Sequence, residues 1–252
     1  MSFINKTVKS WWGAVAFYTV MPLPPSWSLD LGQIARFAPF IGILIGGLLG
    51  IEDWLFSIVH VPILTRSLLV MVTGIAITGG LHLDGVIDTA DGLAVLDPQK
   101  RLDVMKDSAT GAFGVMAAVI VIFLKVGALS EIDQFRWLIL ILTMGWGRWA
   151  QVCAIALYPY LKAEGKGSFH KEAFQFPQDL LFGWIILVLL SIGGSFLFDL
   201  SEIILLLLIA GTAIPLLVSG WFNWQLGGHT GDTYGAVVEW SEAFYLCVLT
   251  VI

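Results

Sequence analysis

Residues 63–93 read ILTRSLLVMVTGIAITGGLHLDGVIDTADGL, an apolar run that ends in three aspartates, Asp84, Asp88 and Asp91. The run from 63 to 82 suffices to cross a bilayer core, which takes about 20 apolar residues as a helix. The aspartates follow at i, i+4 and i+7. At about 3.6 residues per turn they fall on one narrow helical stripe. Like charges so close at a membrane surface repel one another and resist ionisation unless a cation sits among them. The stripe therefore predicts a divalent-metal site, and Gly79, Gly80, Gly85 and Gly92 around it permit close backbone approach. Acidic residues that merely cap a helix and face water are the competing reading, which accounts for one aspartate better than for three.

Composition carries the membrane reading over the whole chain. Of 252 residues 58% are hydrophobic and 13% charged, about half the charge of a soluble domain. Thirteen basic residues without a basic tract leave no nucleic-acid footprint. Cys153 and Cys247 sit in apolar surroundings, form no CxxC, and read as packing residues. Apolar stretches at about 38–60, 63–82, 109–129, 136–157, 180–198 and 203–224 qualify as spans. A seventh, from about 233, turns apolar only after Glu242 and is expected to span incompletely or obliquely. The expected fold is an all-α polytopic membrane protein, one catalytic domain over 1–252, with about six to seven transmembrane helices. Residues 11–20, running into Pro22, Pro24 and Pro25, read as a retained interfacial or re-entrant segment anchored by Trp11, Trp12 and Trp27.

Loop charge orients this array. Lys6, Lys9 and Arg36 precede the first span, Lys100, Arg101 and Lys106 follow the second, and Lys162, Lys166 and Lys171 follow the fourth. The positive-inside rule makes these loops cytoplasmic. The segment 225–242 then returns to the same side.

Further polar groups join the aspartates there. In MKDSATGAFG (105–114) Lys106 is a candidate phosphate contact, Asp107 a metal or hydroxyl partner, and Ser108 an N-cap for the third span. In LGGHTGDTYGAVVEWSE (226–242) Gly227, Gly228, Thr230 and Gly231 form a flexible turn whose amides suit an anion. Asp232 and Glu239, i and i+7, share a helical face and supply further metal ligands. His82, on another face than the aspartates, is as readily a structural histidine as a substrate donor. Arg148, inside the fourth span, is expected to face the bundle interior, paired with an acid or a substrate phosphate. Lys125 is expected toward the outer half, with no part in catalysis. Lys166, in the basic loop 158–179, suits an anionic substrate or lipid headgroups. Gly46, Gly47 and Gly50 suit helix packing within or between subunits, so a homo-oligomer stays open.

TGGLHLDGVIDTADGL, MKDS-x-x-G-x-x-G, the intramembrane arginine, the Lys/Gly loop and LGGHTGDTYGA-x-x-E-x-x-E follow one another in an order that closely resembles the cobalamin synthase family, the adenosylcobinamide-GDP ribazoletransferases. The likeness runs from Phe17 and the MPLPP segment to Glu242, with Tyr234 where a leucine is common. The resemblance implies a magnesium-dependent enzyme of the bacterial or archaeal inner membrane. It would join adenosylcobinamide-GDP to alpha-ribazole or its 5'-phosphate and release GMP. Mg²⁺ on Asp84, Asp88, Asp91 and Asp232 would neutralise charge on the two phosphates. Asp91 or Asp107 would serve as base, Arg148 and Lys106 would hold phosphates, and His82, Gly228, Thr230, Gly231 and Lys166 would line the substrate site. Two rivals share some of this physics: a CDP-alcohol phosphotransferase, whose A-R after the aspartates is missing here, and a cation transporter with an intramembrane acid cluster.

Overall fold

The computed structural model describes residues 3–161, 167–197 and 201–251. Eleven α-helices occur among them: α1 Phe3–Tyr18, α2 Ala38–Ile58, α3 Ile63–Thr78, α4 Leu81–Ala94, α5 Arg101–Val104, α6 Ala112–Glu131, α7 Arg136–Leu157, α8 Ser168–Ala173, α9 Gln178–Leu197, α10 Ile204–Leu226 and α11 Gly231–Leu249. Five of these (α2, extended back to Ala35, and α6, α7, α9 and α10) are long and apolar enough to cross a membrane, and α3 with α4 makes a sixth span if the pair is counted as one.

That pair corrects the expected second span. Gly79 and Gly80 both adopt left-handed backbone (φ 62° and 72°), which ends α3 at Thr78. Two such residues in succession cannot continue a right-handed helix, and glycine alone enters that region without strain. The chain turns 90° there and begins α4. The aspartate stripe thus lies on a separate helix, set across the end of the apolar run rather than prolonging it.

The axis of the molecule is α7, buried over 94% of its apolar window where the other four single-helix spans are buried over 28–39% of theirs. Helix α2 seats on it through glycines four residues apart. A Cβ at Gly42 would come within 2.1 Å of the Met144 carbonyl oxygen, one at Gly46 within 2.5 Å of that of Leu140, and one at Gly50 within 2.9 Å of the Trp137 Cβ. Such a stripe lets two backbones approach until dispersion contacts, rather than hydrophobicity, hold them in lipid. Gly47 has open space around it, so only Gly46 and Gly50 of the expected packing glycines are used within the chain.

At one end of α7 the guanidinium of Arg136 donates to both carboxylate oxygens of Asp53 (2.9 and 2.8 Å) and to Ser67 (3.0 Å), which joins α2, α3 and α7. The opposite end of α7 meets α11. The expected incomplete span is instead an interior helix: residues 233–238 and 241–243 are all buried, among α4, α6, α7 and α10. Its Glu239 and Glu242 are matched by Lys125 of α6 and Arg148 of α7. Helix α1 lies on the 35–38 turn, with Trp11 edge-on to Phe37 at 5.7 Å and Trp12 against Trp27 at 4.6 Å.

Candidate active site

Helix α4 is amphipathic in an unusual sense. His82, Gly85, Val86, Thr89 and Gly92 form its buried face; Asp84, exposed, and Asp88 and Asp91, half-buried, lie on the other side. The first turn of α11 abuts it at one edge. A Cβ on Gly85 would stand 2.3 Å from the Asp232 carbonyl oxygen, and one on Gly235 would stand 3.0 Å from the His82 Cα. The two helices therefore touch backbone to backbone, which sets the Asp232 backbone against Gly85 from a distant part of the chain. At the other edge lies the start of α6. A Cβ on Gly114 would meet the Asp91 carboxylate at 2.5 Å and the Ile87 carbonyl at 2.8 Å.

Asp91 has a structural use that the spacing does not reveal. Its two carboxylate oxygens accept the amides of Gly111 (2.7 Å) and Gly114 (2.8 Å). These are first-turn donors of α6, which no residue of that helix can satisfy. Asp91 is thus an N-cap supplied from another helix, and its charge also complements the positive end of the α6 dipole. Gly111, not Ser108, is the N-cap residue of α6, and it brings no side chain of its own.

The remaining expected site residues divide. Lys106 is exposed and paired with Asp103 at 3.5 Å. Asp107, exposed in the same turn, accepts the Ala109 amide at 3.1 Å. Arg148 faces the interior as expected, and there it meets an acid rather than a free site, donating to Glu242 at 2.5 Å. Lys125 reaches Glu239 (2.6 Å) and Glu242 (2.5 Å). Glu239 is therefore already neutralised by a lysine, and it lies two turns along α11 from Asp232, so it does not join the aspartates. Lys125 turns inward to this pair and does not snorkel.

The glycine turn before α11 is a braced joint, not a flexible loop. Thr230 is the N-cap, its hydroxyl accepting the Thr233 amide while the Thr233 hydroxyl accepts the Thr230 amide. The His229 amide donates to the Pro159 carbonyl (2.9 Å) and the Leu161 amide to that of His229 (2.8 Å), which pins the turn to the segment after α7. Gly228 packs on Pro159, and Gly231 lies near Gly167. Lys166 lies outside the described residues. His82 is buried, away from the aspartates.

A cleft of about 670 Å³ opens beside the stripe, lined by Phe17, Thr19 and Val20 at the end of α1, residues 78–81 of the bend, and Leu83, Asp84 and Ile87 of α4. Among the described residues no group of three His, Cys, Asp or Glu side chains is placed to hold a metal ion.

The family model for Cobalamin-5-phosphate synthase matches residues 10–250. The chain belongs to this family. It is a transferase of cobalamin biosynthesis. Its relatives include the adenosylcobinamide-GDP ribazoletransferase of Trichormus variabilis, 54% identical over 95% of either chain. Those of Thermosynechococcus vestitus (47%, over 96% of either chain) and Synechococcus elongatus (48%, over 94% of either chain) are similar in the same way. No solved structure matches the chain. Family membership decides against the CDP-alcohol phosphotransferase and the transporter, which share only the acidic helix with it. In this cobalamin synthase relative, Gly85, Gly111 and Gly114 set how closely α4 and its neighbours approach. Nothing but hydrogen fits between α4 and its neighbours at these positions. Sequence reading noticed these glycines but could not say which helix each one meets.

Proposed function

We propose that this protein joins adenosylcobinamide-GDP to alpha-ribazole, or its 5'-phosphate, and releases GMP, with Mg²⁺ at Asp84, Asp88 and Asp232 on the cytoplasmic side. The contact of Gly85 with the Asp232 backbone is the observation that carries this reading, since it brings the first turn of α11 against α4, whose Asp84 lines the cleft. The donors are all hard carboxylate oxygens. Mg²⁺ is commonly held by one or two carboxylates, with water and substrate phosphates completing its shell, so an open site fits it better than a cage would. When bound, the metal supplies charge neutralisation at the attacked and departing phosphates.

The chain's own residues do the rest. Asp91 holds the start of α6 against α4 and so keeps one wall of the site in register. Its oxygens are already engaged by two amides, which leaves Asp107, exposed in the adjoining turn, to take the proton from the attacking hydroxyl. Lys106 beside it is placed to meet phosphate. Arg148 is held by Glu242 in the interior and is not assigned to the substrate. The loop charges that lie around these residues support a cytoplasmic face for the site.

The deciding experiment supplies purified protein with adenosylcobinamide-GDP and alpha-ribazole and follows GMP release. Release that stops with EDTA and returns with Mg²⁺ is expected. Release unaffected by EDTA would remove the metal, and no release would remove the reaction.

A further inference from the structure

Behind the cleft lies a second polar locus that the reaction above does not use. Phe17, Leu81 and Leu83 line the cleft; the residues between and beside them, Tyr18 and His82, are buried at 0% and 2% exposure. Three more elements add a side chain each: Gln151 of α7, His170 of α8 and Tyr234 of α11, all 2–3% exposed. The rings are close. Tyr18 lies 6.3 Å from His82 and 6.3 Å from His170, near-parallel to both at 25° and 15°, and His170 lies 6.5 Å from Tyr234. Gln151 donates to the Tyr18 hydroxyl at 3.3 Å.

Five polar atoms in this group have no hydrogen-bond partner among the described residues: Nδ1 and Nε2 of His82, Oε1 of Gln151, Nδ1 of His170 and the hydroxyl of Tyr234. Each was hydrated in the unfolded chain and costs free energy when buried bare. A core that served packing alone would carry leucine or phenylalanine at such places. Five bare atoms on four side chains, brought together from four helices, are the pattern of a site whose partner is a ligand.

The character of that ligand follows from the groups. Among the described residues the locus offers no free cation: Arg148 is paired with Glu242 at 2.5 Å, Lys171 donates to the Ile155 and Ala156 carbonyls, and burial pushes the His170 imidazole down to about 3, so it is neutral at pH 7. A phosphate would be left without compensation. Aromatic faces together with neutral donors and acceptors suit a flat, uncharged nitrogen heterocycle.

We propose that Tyr18, His82, Gln151, His170 and Tyr234 form the subsite for the heterocyclic base of one of the two nucleotide-bearing substrates. The proposal rests on the reaction assigned above and concerns its two nucleotide bases, guanine and the base of ribazole, as distinct from the adenine of the adenosyl group. Both present ring nitrogens and a stacking face.

The test separates the two sources and needs no turnover. Purified protein in detergent with EDTA is titrated with guanosine and, separately, with alpha-ribazole, in the wild type and in Tyr234→Phe and His82→Leu. One nucleoside is expected to bind, and each variant is expected to weaken it about tenfold while its melting temperature stays level or rises. That pairing is diagnostic, because deleting a bare buried polar group relieves the empty protein and deprives only the ligand. Wild-type affinity in both variants overturns the proposal, as does weaker binding accompanied by a lower melting temperature in both. If the wild type binds neither nucleoside yet releases GMP from adenosylcobinamide-GDP, the subsite falls and the reaction stands. If it binds one but releases no GMP, the reaction assignment falls alone.

Discussion

Three aspartates on one stripe of α4 perform two tasks. Asp84 faces the cleft and Asp88 lies one turn further on, whereas Asp91 spends both oxygens on the α6 amides. The single substitutions should separate these roles. Asp84→Ala and Asp88→Ala are expected to lower GMP release about 10²–10³-fold, the scale of a lost electrostatic stabiliser of the transition state, with unchanged melting. Asp91→Ala is expected to cost about 1–2 kcal/mol of stability through the lost cap, read as a lower melting temperature. Activity retained in Asp84→Ala would sink the metal assignment.

Two buried histidines give stability a pH dependence. Burial lowers His170 to about 3 and His229 to about 4. Both sit below the unfolded value near 6.5, so below that pH the unfolded chain binds more protons than the folded one. Stability is complete above about pH 6.5 and falls as pH drops toward 4, at up to about 1.4 kcal/mol per pH unit for each histidine. Melting curves between pH 7 and pH 4.5 check this, and His170→Phe should flatten the slope.

Between elements, two contacts fix where α11 stands. The first is the glycine crossing with α4. Gly85→Ala would drive a methyl group into the Asp232 carbonyl. It is expected to lower turnover at least tenfold and raise the Mg²⁺ concentration needed. Gly47→Ala, on the open side of α2, is expected to do neither. The second is the charge cluster two turns along, where Lys125 of α6 and Arg148 of α7 hold Glu239 and Glu242 of α11. Desolvating four charges is costly, so the cluster is weak as a source of stability but severe when broken. Lys125→Met leaves two buried carboxylates with one cation and is expected to cost about 3–5 kcal/mol. Adding Glu239→Gln should recover part of that loss in chemical denaturation, because the uncompensated charge is then gone.

At the scale of the molecule, α7 is the post on which both ends are built, with α2 seated through its glycines and α11 through its acids. Labelling of single cysteines introduced at Leu96, Ala109 and Phe176 should place all three on one side of the membrane. Split accessibility would break the common cytoplasmic site. The spans and the acidic helix were legible because both depend on local periodicity: about 20 apolar residues make a crossing wherever they occur, and i, i+4, i+7 makes a stripe on any helix. The double glycine at 79–80 was visible too, but its 90° turn depends on left-handed backbone at both positions at once. Gln151 and Tyr18 carried a weak signal, as polar groups in a largely apolar chain. Nothing in the spacing joined them to His170 or Tyr234.

The sequence by itself determined an all-helical membrane enzyme with a carboxylate stripe and a family of origin, because composition and short-range repeats are properties of the chain. Only tertiary structure decided which acids other helices had already claimed. Asp91 is taken by amides 20 and 23 residues away, and Glu239 by a lysine 114 residues away. A carboxylate's role depends on what neutralises it, and in this fold those partners come from other helices.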